Sequence, residues 1–77
     1  MSASEVKLYP LVSSYLDRIG YDAPSKTLHI VFRDGEHYTY GGVSREAFNA
    51  LQRARSPGSH FREHIKGHHP ATKVTGQ

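Results

Sequence analysis

Ten lysines and arginines, seven carboxylates and six histidines are the groups in this chain able to do chemistry, and there is no cysteine. Four of the histidines, His60, His64, His68 and His69, crowd into the last third. His60 and His64 are one helical turn apart, the spacing of two ligands to a single metal ion. Gly67 interrupts that helix before His68, only Glu63 is near enough to add a carboxylate, and no thiolate exists. No metal site and no cofactor are therefore expected. These imidazoles read as surface groups that add positive charge below about pH 6.5. Catalysis finds no framework either. There is no glycine-rich phosphate loop, and neither Asp17 with Asp22 nor Glu36 with a histidine has a spacing that commits it to a common cleft. The expectation is a protein that is not an enzyme.

The cations carry a stronger signal. The formal net charge is +3. From Arg53 onward the chain holds five basic residues, Arg53, Arg55, Arg62, Lys66 and Lys73, against Glu63 alone; before Arg53 it holds five basic and six acidic residues. Such asymmetry predicts a phosphate-contacting surface made by Arg53, Arg55, Arg62, His64 and Lys66, with help from Arg33. RNA, or nucleic acid generally, is the expected partner. The competing expectation is a protein-interaction module, such as a small phage-type regulator docking on an acidic surface of a nucleic-acid enzyme, because positive potential serves either role. The ordinary use of such residues is to keep helix faces soluble.

The element best specified by the sequence is the stretch Thr27 to Tyr40. Leu28, Ile30 and Phe32 alternate with polar neighbours, Asp34-Gly35 turns the chain, and His37 to Tyr40 alternates again, which is a β-hairpin. Its register decides the role of two candidate aromatic contacts, Tyr38 and Tyr40. A two-residue turn puts them beside His29 and Arg33 on a face able to stack on bases. A three-residue loop, Arg33-Asp34-Gly35 with Gly35 left-handed, sets Ile30 opposite Tyr38 and Leu28 opposite Tyr40, on the core side. The second register keeps both strands on one core face and is preferred. His29 and His37 then approach each other on the outer face, near Arg33.

Around the hairpin, residues 14–21 read as a first strand, bulged or regular, in preference to a short helix stripe of Val12, Tyr15, Leu16 and Ile19. Ser44 is placed to cap a helix with Val43 stapled to Phe48, and Ala47, Phe48, Leu51 and Ala54 form its apolar stripe. Ser56-Pro57-Gly58 breaks it and offers a cap plus a proline at the first position of the next helix, and a second short helix is expected from His60 to Lys66, with Phe61 and Ile65 buried and Gly67 as stop. The predicted fold is α+β: a three-stranded antiparallel β-meander followed by two short C-terminal helices packed on one face. Residues 1–10 are expected to be a flexible arm in which Tyr9 and Leu11 could dock on the domain edge, 11–69 a single domain, and 70–77 a flexible tail.

The order SSYLDRIGYD, LHIVFRDGEHYTY, a glycine-valine step, a helix and SPGSHFREHIKG resembles the KTSC domain, a module named from the C-terminus of some lysyl-tRNA synthetases. The resemblance is carried by Ser13-Ser14, Gly20-Tyr21-Asp22, Phe32 followed by Gly35, Tyr38-Thr39-Tyr40, and Ser56-x-Gly58-x-x-Phe61-x-x-x-Ile65, and spans about Val12 to Pro70. His68-His69 stand where that pattern carries an aromatic residue. The resemblance implies the fold and a small stand-alone form, no defined chemistry, and RNA contact by association with the synthetase.

Length and composition agree with one domain: 77 residues, 36% hydrophobic and 22% charged. No apolar run approaches the roughly 20 residues of a membrane span, and MSASEVKLYP lacks the order of a signal peptide. A soluble, cytoplasmic monomer without membrane contact is the expectation.

Overall fold

The computed structural model describes residues 6–74. Five strands form one antiparallel sheet in the order of the chain: β1 (Tyr9–Pro10), β2 (Leu16–Asp22), β3 (Thr27–Phe32), β4 (His37–Tyr40) and β5 (Ala71–Lys73). Between β4 and β5 the chain crosses one face of the sheet as helices α1 (Arg45–Arg53) and α2 (Pro57–His64). The stretch expected as a strand over residues 14–21 thus forms one, at Leu16–Asp22, and no helix.

The hairpin has the three-residue loop. Ile30 lies opposite Tyr38 and Leu28 opposite Tyr40. Gly35 donates its amide to the Phe32 carbonyl (2.9 Å), Phe32 donates to Glu36 (2.8 Å), and Gly35 sits at φ +93°, where a side chain would be strained. β2 carries a bulge between Leu16 and Arg18, with Leu16 opposite Phe32 and Arg18 opposite Val31. The extra residue, Asp17, is thereby released to pair with arginines.

Alternation then builds one core. Leu16, Ile19, Leu28, Ile30, Phe32 and Tyr40 from the sheet meet Val43, Phe48, Leu51, Phe61 and Ile65 from the helical half in a single buried cluster. Phe61 is its hub, within 5.2–6.0 Å of the rings of Tyr40, Phe32 and Tyr15. Ser44 caps α1 by accepting the Ala47 amide (3.1 Å), and Val43 before it is fully buried. The Tyr21 hydroxyl donates to the Val43 carbonyl at 2.6 Å, tying β2 to that cap.

Three expectations need correction. The sheet has five strands instead of three; the two additional ones lie in segments read as arm and tail. Tyr9 and Pro10 pair with Ile19 and Arg18, and Ala71 to Lys73 pair with Tyr40 to Tyr38. Strands of two and three residues are too short for any hydrophobic period, and Pro10 is tolerated because it lies on an edge. The second helix, expected over His60 to Lys66, begins three residues earlier, at the first-position proline that Ser56-Pro57-Gly58 offers. It ends at His64, two residues early, because Ile65 already belongs to the turn that Gly67 completes at φ +85°. Among the described residues, no helix is long and apolar enough to cross a membrane.

Candidate functional site

An open groove of about 600 Å³ runs between the segment leading into β2 and the start of α2. Local hydrogen bonds shape its first wall. The Ser13 hydroxyl oxygen accepts the amides of Tyr15 and Leu16, both at 3.1 Å, which folds residues 13–16 into a tight turn. Arg33 fastens this turn to the β3–β4 loop: its amide donates to the Tyr15 carbonyl (3.0 Å) and its Nε to the Ser13 carbonyl (2.9 Å). The second wall is the first turn of α2. Gly58 in this turn is buried against residues 13–15, and a Cβ on it would stand 3.1 Å from Tyr15 Cβ. Only glycine lets helix and turn approach this closely without displacement.

Arg33, Arg55 and Arg62 line the groove, and none of its lining residues is acidic. Their charges are not equally available. Arg33 Nη1 lies 3.2 Å from Asp17 Oδ1, so part of its field is spent inside the domain. The Arg62 guanidinium lies over the Tyr15 ring, 5.2 Å from its centroid, which fixes the direction of its donors. Among the described residues, neither Arg55 nor Arg62 pairs with a carboxylate. Ser13, Ser14, Ser56 and Ser59 complete the lining. Ser56 does not cap α2 with its side chain; its hydroxyl donates to Ser59 Oγ at 3.2 Å.

The other cations of the expected surface lie elsewhere. Arg53 is the exposed last residue of α1 and does not line this groove. His64 is exposed at the end of α2, its ring 4.4 Å from that of His60 and its Nε2 3.9 Å from Glu63. The His60 pKa is lowered from its ordinary value, first by burial and then by His64, with Glu63 opposing. Lys66 borders a second cleft, of about 360 Å³, whose floor is aromatic. Tyr38 and Tyr40 are both found there: Tyr40 is buried in the core and Tyr38 half-buried at the surface. Burial raises the Tyr40 pKa, with Tyr15 and Tyr38 adding to the effect. On the outer face of the sheet His29 Nδ1 and His37 Nε2 are 3.4 Å apart. Among the described residues, no three histidines or carboxylates converge as a metal-binding group.

The grouping of three arginines thus draws on both halves of the chain, which a count of charges along the sequence could not reveal. The serines were passed over as contacts. Their signal lies in the Ser13-Ser14 pair, which marks the family pattern, and in Ser56-Pro57-Gly58, which marks the break between the helices.

The sequence pattern of the KTSC domain matches residues 12–69. Among solved structures, the chain is similar to a KTSC domain protein from Yersinia pestis in its crystal structure. The two are 34% identical, with a TM-score of 0.89 over 92% of this chain and 100% of that one. No curated protein matches the chain.

Proposed function

The chain belongs to the KTSC domain family, and from that premise we propose that it is a non-catalytic module that binds RNA, or nucleic acid generally, through the groove of Arg33, Arg55 and Arg62. The observation that carries this reading is the meeting of three guanidinium groups and four serine hydroxyls in a groove with no acidic lining residue among the described ones, Asp17 reaching Arg33 alone. Guanidinium forks match phosphate oxygens in pairs, and hydroxyls donate to the remainder. The buried first turn of α2 adds backbone amides with positive dipole character at the same wall. Arg33 serves mainly as the brace that holds the wall, because Asp17 already takes part of its charge. Arg53 and His64 contribute only long-range attraction, and Lys66 lies outside this groove.

The test is an NMR titration with a generic single-stranded RNA at low and at physiological salt. The expected result is movement of the Ser14, Arg55, Ser59 and Arg62 amides, with affinity falling at a log–log slope of about −1.4 for two neutralised phosphates. Arg55→Glu/Arg62→Glu should abolish it in a protein that stays folded, while Lys66→Glu should weaken it only slightly. If the RNA shifts no groove amide at low salt, the reading fails.

A second reading has one observation in its favour. Val12, on the rim of the same groove, is 96% exposed. An apolar side chain beside Arg55 and Arg62 suits an acidic protein surface as well as a phosphate chain. Capture of an acidic protein by wild type and not by Val12→Asp, with no response to RNA, would favour it.

A further inference from the structure

We propose that the aromatic cleft next to the arginine groove is a nucleobase subsite, preferring bases that carry an exocyclic amino group over uracil. The inference deepens the reading of the groove as a phosphate site and rests on it. The two cavities share a wall: the Tyr15 side chain lines both, with Arg62 over its ring. A phosphate held by Arg62 therefore leaves its own base one side chain away from the cleft.

The chemistry of the cleft fits a flat ring with polar edges. Tyr38 is held edge-on against Phe32, with centroids 5.7 Å apart at 73°, so its ring is oriented before any ligand arrives. Phe32 and Tyr40 are almost fully buried and form the floor; Tyr15 and Tyr38 are half-buried, and Arg62 already covers the Tyr15 ring, which leaves Tyr38 as the ring for a base. Every base has a π-face that such a ring can take. The rim carries opposite charges, Asp34 and Lys66, matching the donors and acceptors on a base edge. Glu36 is less available, since Oε1 lies 2.8 Å from Lys73 Nζ. Asp34 Oδ1 accepts the Glu36 amide at 2.9 Å, which fixes the carboxylate, and among the described residues Oδ2 has no hydrogen-bond partner, so it is available as an acceptor. Amino groups of guanine, adenine and cytosine can donate to it. Uracil's only ring donor is flanked by two carbonyls that repel a carboxylate. A volume of about 360 Å³ is at the small end of ligand pockets, enough for one base and not for a peptide segment.

The experiment is an NMR titration of the 77-residue protein at low salt with ribose 5-phosphate, UMP, CMP and GMP. All four should shift the Arg55, Ser59 and Arg62 amides. Only the nucleotides should shift those of Tyr38, Gly67 and Ala71, with CMP and GMP binding roughly fivefold tighter than UMP. Asp34→Asn keeps an acceptor for the Glu36 amide; it should erase that margin and leave ribose 5-phosphate binding unchanged. If ribose 5-phosphate binds as tightly as the nucleotides and the cleft amides stay still, the base subsite is wrong and the phosphate groove stands. Cleft shifts with equal affinity for UMP and GMP overturn the amino preference. Cleft shifts without groove shifts overturn the phosphate reading instead, and silence at both sites overturns both.

Discussion

His29 shows how a single group can make stability depend on pH. It projects from β3 onto the outer face of the sheet, 3.4 Å from His37. Its pKa is lowered from the ordinary 6.5, first by burial and then by the neighbouring His37, while Asp22 pulls it back. In the unfolded chain the imidazole titrates near its ordinary value, so on acidification the unfolded state takes up the proton first. Stability is therefore complete above about pH 6.5 and is lost as the pH falls through the lower folded-state value. The urea midpoint should drop between pH 7.5 and pH 5, and His29→Gln should flatten that dependence. An unchanged slope in the variant would assign the effect to other groups. Arg33 illustrates the opposite difficulty, since it binds the Ser13 and Tyr15 carbonyls and Asp17 at once. Removing it would damage the groove's shape and its charge together, which makes Arg55 and Arg62 the cleaner probes.

Between residue and molecule, the elements differ in how openly the sequence announces them. The β3–β4 hairpin was legible because Gly35, the alternation of Leu28, Ile30 and Phe32, and the paired Tyr38 and Tyr40 all agree on one register. The start of α1 was equally legible, since Ser44 and Val43 act within a few residues of each other. β1 and β5 were not. Their pairing is decided by tertiary neighbours, as Gly20 shows. A Cβ on Gly20 would collide with the Lys7 carbonyl oxygen and with the side chains of Val6 and Leu8. The bare glycine is what lets residues 6–8 lie across the sheet and lead into β1. Gly20→Ala should therefore displace this segment, at a cost of about 1–3 kcal/mol. Hydrogen exchange would report it as lost protection on the amide side of β1, with β2 to β4 retained. Retained protection at residues 8–11 would show that the segment is held by something else. The candidate site was half legible for a related reason: Arg55 and Arg62 are neighbours along the chain, but Arg33 and the serines join them only through the fold.

At the scale of the molecule, one ring carries much of the integrity. Phe61 is fully buried and touches aromatic side chains from the β2 approach, β3 and β4, so it links α2 to the sheet. Phe61→Ala should cost about 3–5 kcal/mol. Small domains hold only about 5–15 kcal/mol in total, so urea denaturation should find the variant largely or marginally unfolded. A midpoint close to wild type would mean that the cluster repacks without it. The same packing fixes both cavities, because α2 supplies one wall of the groove and the chain just after it borders the cleft. The stunted borders of the β-layer have a further consequence. With two residues at one margin, one of them a proline, and three at the other, a second copy finds almost no backbone ladder to extend. Fibril-like stacking through either margin is thereby disfavoured, and crowded solutions of this protein should stay clear.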